Sequence, residues 1–373
     1  MKRFLLLPIA LLLVSAPGAL AQETTLGGYG ELHYNDPEGA TPGELDFHRF
    51  VLYIGHSFND WISFASEVEV EHVYLSDEGG PGELGIEQAY VEFQPWDSYG
   101  FRGGIVLIPV GIINPIHEPP TFHGVERPSF HRIIIPTTWR EAGLGFYGMP
   151  FEKVAFQLYY TSSFDANGFS LSSGLRGGRT KAAEPKTSDM ALSGRVDVYP
   201  TIGLIVGGSF FTGSTTRGAE ELGDGTTTIL AADARYSIGD FEFRGEFANI
   251  SIADTELLFE ERGISVAEQI MGYYIEGAYN FLPLLFDETA QKLFVFARYE
   301  GLNTEASLGE HLEETGRYDR TEITLGLTYK PTTNVAVKLD YQIYGNGVDD
   351  ETMPGYIRSG ADGQLNAGVG YAF

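Results

Sequence analysis

The C-terminal stretch QLNAGVGYAF, residues 364–373, places Leu365, Ala367, Val369, Tyr371 and Phe373 at alternate positions, with Gln364, Asn366, Gly368, Gly370 and Ala372 between them. Successive side chains of a β-strand point to opposite faces, so one face of this segment suits lipid and the other water. The same dyad runs through residues 321–330, where Ile323, Leu325, Leu327 and Tyr329 alternate with Glu322, Thr324, Gly326, Thr328 and Lys330. It runs again through 335–344. There Lys338, Asp340 and Gln342 stand on the face that a soluble sandwich would bury, which points to a wet interior. Each segment has about the ten residues that a tilted strand needs to cross a bilayer.

Applied to the whole chain, this pattern predicts sixteen strands, near 26–35, 45–57, 61–74, 84–95, 99–110, 139–148, 152–163, 188–199, 201–213, 227–238, 240–252, 268–281, 291–302, 319–330, 334–345 and 363–373. An even number returns both ends to one side of the membrane, and sixteen strands leave an aqueous lumen instead of a packed core. Connections alternate in length. Short ones such as Asn59-Asp60, Pro200 and Gly239 alternate with long glycine-rich, acidic ones such as 214–226, 253–267 and 303–318. Aromatic residues gather at strand ends, among them Trp61, Phe93, Trp96, Tyr147 and Phe281, as interfacial girdles do. The fold class expected is all-β, a closed transmembrane antiparallel barrel forming one domain over 22–373.

The first residues read as an export signal. Lys2 and Arg3 precede an apolar run from Phe4 to Val14, and Ala19-Leu20-Ala21 forms a small-residue cleavage site. The run is too short for a spanning helix, so only strands can carry the chain through a membrane. Without residues 1–21 the chain has 352 residues, and its net charge moves from −27 to −29 because Lys2 and Arg3 leave. That charge argues against nucleic acid as a partner. Cysteine is absent, which excludes disulfides and thiolate chemistry.

The ending resembles the closing strand of bacterial outer-membrane proteins, in which a terminal aromatic residue, here Phe373, is read by the barrel-insertion machinery. Over residues 27–147 the segments GGYGELHYN (27–35), DFHRFVLYIGHSFND (46–60), EVEVEHV (67–73), EQAYVEF (87–93) and NPIHEPPTFHGVERP (114–128) resemble the phosphate-selective porin O/P-like family. The resemblance implies a sixteen-stranded outer-membrane porin, homotrimeric, passing ions and small hydrophilic solutes by diffusion. Phosphate selectivity does not follow for this chain, which lacks an evident ladder of lysines and arginines.

Porins of this architecture fold their third long loop into the lumen. Here that loop, Gly111–Thr138, sets His117, Glu118, His123, Glu126, Arg127, His131 and Arg132 among apolar Ile112, Ile113, Phe122 and Ile133 to Ile135. Apolar residues in a long loop need a surface to pack on, and the barrel wall offers one. These seven residues are the expected pore constriction, with Arg127 and Arg132 facing Glu118 and Glu126. The three histidines, six and eight residues apart, match no standard metal spacing, and no metal is expected there.

Alternation assigns Glu67, Glu69, Glu71, Glu92, Arg102, Arg195, Asp197, Arg235, Arg244, Arg298, Lys338 and Asp340 to the lumen lining, together with Asp233, Glu242, Glu246, Glu276, Glu300 and Glu322. Twelve acids then face six bases. Glu67, Glu69 and Glu71 form a ladder with steps of about 6.6 Å and no base on their own strand; the other reading of these acids pairs them with arginines on neighbouring strands. Left uncompensated, the ladder predicts weak or mildly cationic selectivity. Two alternatives stand beside it: an anion-selective or phosphate-selective porin, using Arg127, Arg132 and the fourth-loop residues Arg176, Arg179, Lys181 and Lys186 at the mouth, and a non-channel barrel acting in adhesion or envelope structure. No nucleophile and base are paired by any motif, so an enzyme is not expected. The one ion expectation is Ca²⁺ or Mg²⁺ bridging acidic outer loops, including Asp77-Glu78, Glu220-Glu221, Glu260-Glu261, Glu313-Glu314 and Asp349-Asp350-Glu351, to lipopolysaccharide phosphates. No other cofactor is expected.

Overall fold

The computed structural model describes residues 22–39, 42–72, 82–183, 185–348 and 362–373. The export signal at 1–21 and the acidic residues at 77–78 and 349–351 lie outside them. Sixteen strands are present: β1 (Glu23–Pro37), β2 (Glu44–Asn59), β3 (Ile62–Glu71), β4 (Glu83–Trp96), β5 (Tyr99–Leu107), β6 (Arg140–Phe151), β7 (Val154–Ser162), β8 (Met190–Thr201), β9 (Leu204–Ser214), β10 (Thr226–Ile238), β11 (Phe241–Ile252), β12 (Gln269–Asn280), β13 (Lys292–Ser307), β14 (Asp319–Thr332), β15 (Val335–Asn346) and β16 (Gly363–Ala372). Each pairs with its sequence neighbours, and β1 pairs with β16 to close the barrel.

Closure reaches the last residue. Gly28 N–H donates to the Phe373 carbonyl at 3.0 Å, and Phe373 N–H donates back to Gly28 at 2.8 Å. Gly28 has no room for a side chain there, since a Cβ would come within 2.2 Å of the Val51 carbonyl. Among the described residues the seam leaves no strand edge without a partner, which is the condition for a sheet to sit in lipid.

The two faces of the wall differ as the period-2 pattern requires. Outward side chains such as Leu26, Leu144, Phe151 and Ile275 are 71, 67, 70 and 62% exposed, while inward Tyr29, Val51 and Glu300 are wholly buried. An apolar outer surface of this extent is stable only against lipid. Phe58, Trp61, Phe93, Trp96, Phe151, Phe241 and Phe373 are exposed at the short-turn end, forming a girdle. We expect unboiled protein in detergent to migrate differently from boiled protein on electrophoresis, because a closed ladder offers detergent no edge from which to unzip. Identical migration, or a helical circular-dichroism spectrum, would contradict the fold.

The interior is not wet throughout, which corrects the sequence reading. On the long-loop side Phe211, Ile229, Ile250 and Ile270 point inward and pack with Ile112, Phe130, Ile134 and Trp139 of the loop 108–139 and with Phe164, Phe169 and Leu175 of the loop 163–189. Part of the lumen is therefore filled by a dry core built from two long loops and the wall.

Candidate functional site

The segment 108–139 leaves β5, enters the barrel and returns at β6. Its entry turns on Gly111, whose φ of +78° lies where only glycine is unstrained, and a Cβ there would meet Glu246 Oε1 at 2.7 Å. Inside, its backbone is held by inward carboxylates. Ile112 N–H donates to Glu246 at 3.3 Å, Val125 N–H to Asp340 at 2.6 Å, and the Ser129 and Phe130 N–H groups to Glu300 at 3.2 and 2.8 Å. Ser129 Oγ donates to Glu322 at 2.7 Å. Inward bases take its carbonyls: Arg195 at Gly111, Arg298 at His123 and Lys330 at Pro120. Charge-assisted hydrogen bonds of this kind are stronger than neutral ones, and they satisfy loop amides that have no ladder partner.

These contacts revise the lumen lining. Glu67, Glu69, Arg195, Arg298, Lys338 and Asp340 face inward as alternation predicts but are buried, as are Asp233, Glu246, Glu276, Glu300 and Glu322. They anchor loop and wall and do not line water. Arg195 joins Asp197 and Asp233 at 2.6 and 2.8 Å, Arg298 joins Glu276 and Glu300 at 3.2 and 2.9 Å, and Lys338 Nζ sits 3.7 Å from the centre of the Phe122 ring. Glu71, Glu92, Arg102, Asp197, Arg235, Glu242 and Arg244 keep part of their surface in solvent. The glutamate ladder is also not uncompensated. Arg49 of the adjacent strand lies 2.9 Å from Glu69, 3.8 Å from Glu71 and 2.7 Å from Glu31. This is the cross-strand pairing that stood as the other reading of the ladder; alternation along a single strand does not show which arginine supplies it.

The histidines of the loop do not converge. His117 Nε2 lies 3.3 Å from Glu87 and 3.5 Å from Glu67, His123 Nε2 lies 3.2 Å from Glu242 between the rings of Phe294 and Phe296, and His131 Nε2 lies 2.9 Å from Glu246. Burial opposes the charged form of His117, yet Glu87 and Glu67 outweigh it and raise its pKa to about 10. For His123 burial dominates and the pKa falls.

The expected confrontation of Arg127 and Arg132 with Glu118 and Glu126 is replaced by other partners. Glu118 accepts from Tyr53 at 3.3 Å, Glu126 lies 3.1 Å from His33 and accepts from Asn35 at 3.0 Å, and Arg127 donates to the His117 carbonyl at 3.0 Å. Although burial works against ionisation of Glu126, His33 holds its carboxyl well below the ordinary range. Arg132 is half-buried.

The fourth loop departs most from the sequence reading, which placed its bases outside: Arg176 and Arg179 turn inward, while Lys181, 2.5 Å from Glu83, and Lys186 stay at the surface. Its residues 171–176 reach across to the far wall: Thr304 Oγ1 donates to the Leu171 carbonyl at 2.5 Å and Arg320 to Ser172 at 3.0 Å. Arg179 donates to the Thr137 carbonyl and to Thr138 Oγ1. Arg176 is driven well below its usual pKa, first by burial and then by the neighbouring Arg179 and Arg132. The apolar Phe164, Phe169, Leu171 and Leu175 are the signal that could have placed this loop inside, by the reasoning applied to the third.

No protein-family model matches the chain. Over 330 residues it is 35% identical to an uncharacterized protein of Aquifex aeolicus (strain VF5), covering 85% of this chain and 74% of that one. At the level of fold it is similar to OmpF of Salmonella typhi (TM-score 0.60, 14% identity, 94 and 97% of the two chains) and to an anion-selective porin from Comamonas acidovorans (0.58, 14%, 95 and 100%). It is also similar to the trimer form of OmpT from Vibrio cholerae (0.55, 12%, 95 and 100%). The chain belongs to the family of the Aquifex aeolicus protein, and its fold is that of the outer-membrane porins.

Proposed function

We propose that this chain is an outer-membrane porin, a passive channel for ions and small hydrophilic solutes with little charge selectivity. The observation that carries the reading is the interior of the sixteen-stranded wall. Most of the charged side chains that remain hydrated there are paired with an opposite charge: Arg102 with Glu92 at 2.8 Å, Arg235 with Asp197 at 3.7 Å, Arg244 with Glu276 at 3.0 Å and Glu71 with Arg49 at 3.8 Å, while Glu242 lies 3.2 Å from His123. Rings of uncompensated charge select ions, whereas paired charges cancel within the screening length of about 8 Å. The loop 108–139 serves as the constriction by filling the lumen, with Glu118, Glu126, Arg127 and Arg132 keeping part of their surface in solvent while His117, His123 and His131 are buried in its anchoring contacts.

In keeping with the barrel's outer face, the protein is placed in the outer membrane after removal of residues 1–21, inserted through its Phe373 end and surrounded by lipopolysaccharide. We assign a homotrimer, the state named for the OmpT structure. Ca²⁺ or Mg²⁺ at the acidic outer loops remains part of the proposal, and no catalytic role is assigned.

Under a KCl gradient the reversal potential is expected near zero, and Arg102→Gln, which leaves Glu92 without its partner, should move it toward cation preference. A second reading rests on the inward turn of Arg176 and Arg179 beside Arg132, which concentrates positive charge at the mouth. Strong anion selectivity, or block of the current by low phosphate concentrations, would favour that reading and overturn the first.

A further inference from the structure

A cluster on the rim of the barrel takes no part in anchoring either inward loop. Between Arg49 and Asp46, β2 carries two residues opposite the single Leu32 of β1, a β-bulge. Bulges re-aim side chains, and here Asp46 and His48 are brought to the same side as Arg49. His72 follows the end of β3 with a φ of +50°, a conformation unusual outside glycine, and its N–H donates to the His48 carbonyl at 3.0 Å.

The outcome is convergent. His48 Nδ1 and His72 Nδ1 lie 3.1 and 2.8 Å from the same oxygen, Asp46 Oδ2, and the donor atoms of the three residues lie within 4.8 Å of one another. The His48 ring is held flat against His33 at 4.7 Å, and His33 is itself fixed by Glu31 and Glu126 at 3.2 and 3.1 Å. Side-chain exposures of 26% for His48, 20% for Asp46 and 36% for His72 leave the site open to solvent.

From this geometry we infer a metal site formed by His48, His72 and Asp46 for a borderline divalent transition ion of the Zn²⁺ class, with water in the remaining position. Two imidazole nitrogens and one carboxylate oxygen are the donor set such ions prefer. Ca²⁺ and Mg²⁺ require six or more oxygen ligands, or nearly so, and this cluster does not provide them. Zinc bonds of about 2.0–2.2 Å are reached by small rotations of three side chains already directed at a common point. The second histidine–carboxylate group, Glu67, Glu87 and His117, is wholly buried. It is occupied in holding the third loop to the wall, so it is not the site inferred.

Zn²⁺ titration of the full chain folded in detergent, followed by calorimetry, tests the inference. One ion per chain is expected. His48→Ala and His72→Ala should each weaken binding by at least about tenfold, the low end of what even outer-shell changes cost. His56→Ala, at the short-turn end of the same strand beside Thr24, should leave it unchanged. Heat-modifiable migration verifies folding, and if His48→Ala does not fold, His72→Ala carries the test because it lies outside the strands. Failure of wild type to bind Zn²⁺ at tens of micromolar, binding indifferent to both variants, or loss confined to His117→Ala would each overturn the site.

Discussion

Replacing residues 111–138 by a short glycine–serine link is expected to raise single-channel conductance several-fold while leaving the barrel closed. The loop crosses the lumen and touches the wall from β1 to β4 and from β8 to β16, so removing it empties its share of the dry core, the loop 163–189 keeping the rest. The wall does not depend on it for strand pairing, because every ladder from β1 to β16 is made by the strands themselves. The carboxylates that lose loop donors, the amides at Glu246, Glu300 and Asp340 and the Ser129 hydroxyl at Glu322, would face water, where a charge needs no partner. Unchanged conductance in a correctly folded variant would mean that solute passes by a route the loop does not limit.

Arg298→Ala is expected to cost about 3–5 kcal/mol of barrel stability, the usual penalty for breaking a buried ion pair from one side. The guanidinium of Arg298 is fully buried and bonds Glu276, Glu300, Thr324 and the His123 carbonyl. Its loss leaves Glu300 confined without its base and Glu276 with Arg244 alone, and Glu300 also holds the Ser129 and Phe130 amides. The denaturant midpoint of the folded barrel should fall accordingly. A triple variant, Arg298→Met with Glu276→Gln and Glu300→Gln, removes the charges together and should recover much of the loss, since replacing a buried ion network by neutral groups is often near neutral. A change under about 1 kcal/mol for Arg298→Ala is what exposed pairs show and would place this network in water.

The wall was readable because its two environments alternate with a fixed period. Residues 364–373 show lipid and interior faces at once, and the same rule locates Arg298 and Glu300 on the inner side without any tertiary information. The loop 108–139 was readable in kind, since a long connection rich in isoleucine needs something to cover it. Its partners were not, because pairing Glu300 with the Phe130 amide, or His117 with Glu87, joins residues 170 and 30 positions apart by a path that periodicity does not encode. The fourth loop was misplaced for a related reason. Arg176 and Arg179 were read by their charge, which favours solvent, whereas Phe164, Phe169 and Leu175 decide where the loop sits. The metal site at Asp46, His48 and His72 depends on a bulge and a left-handed residue, and neither has a signature in composition.

The central claim is that the folded chain is an open channel despite the two loops inside it. Addition of wild-type protein, shown by heat-modifiable migration to be folded, to a planar lipid bilayer in KCl tests this most directly. The account predicts discrete current steps of steady size whose current rises linearly with voltage. Absence of such steps from protein demonstrably folded and inserted would contradict the account and leave a closed barrel with a structural or adhesive role.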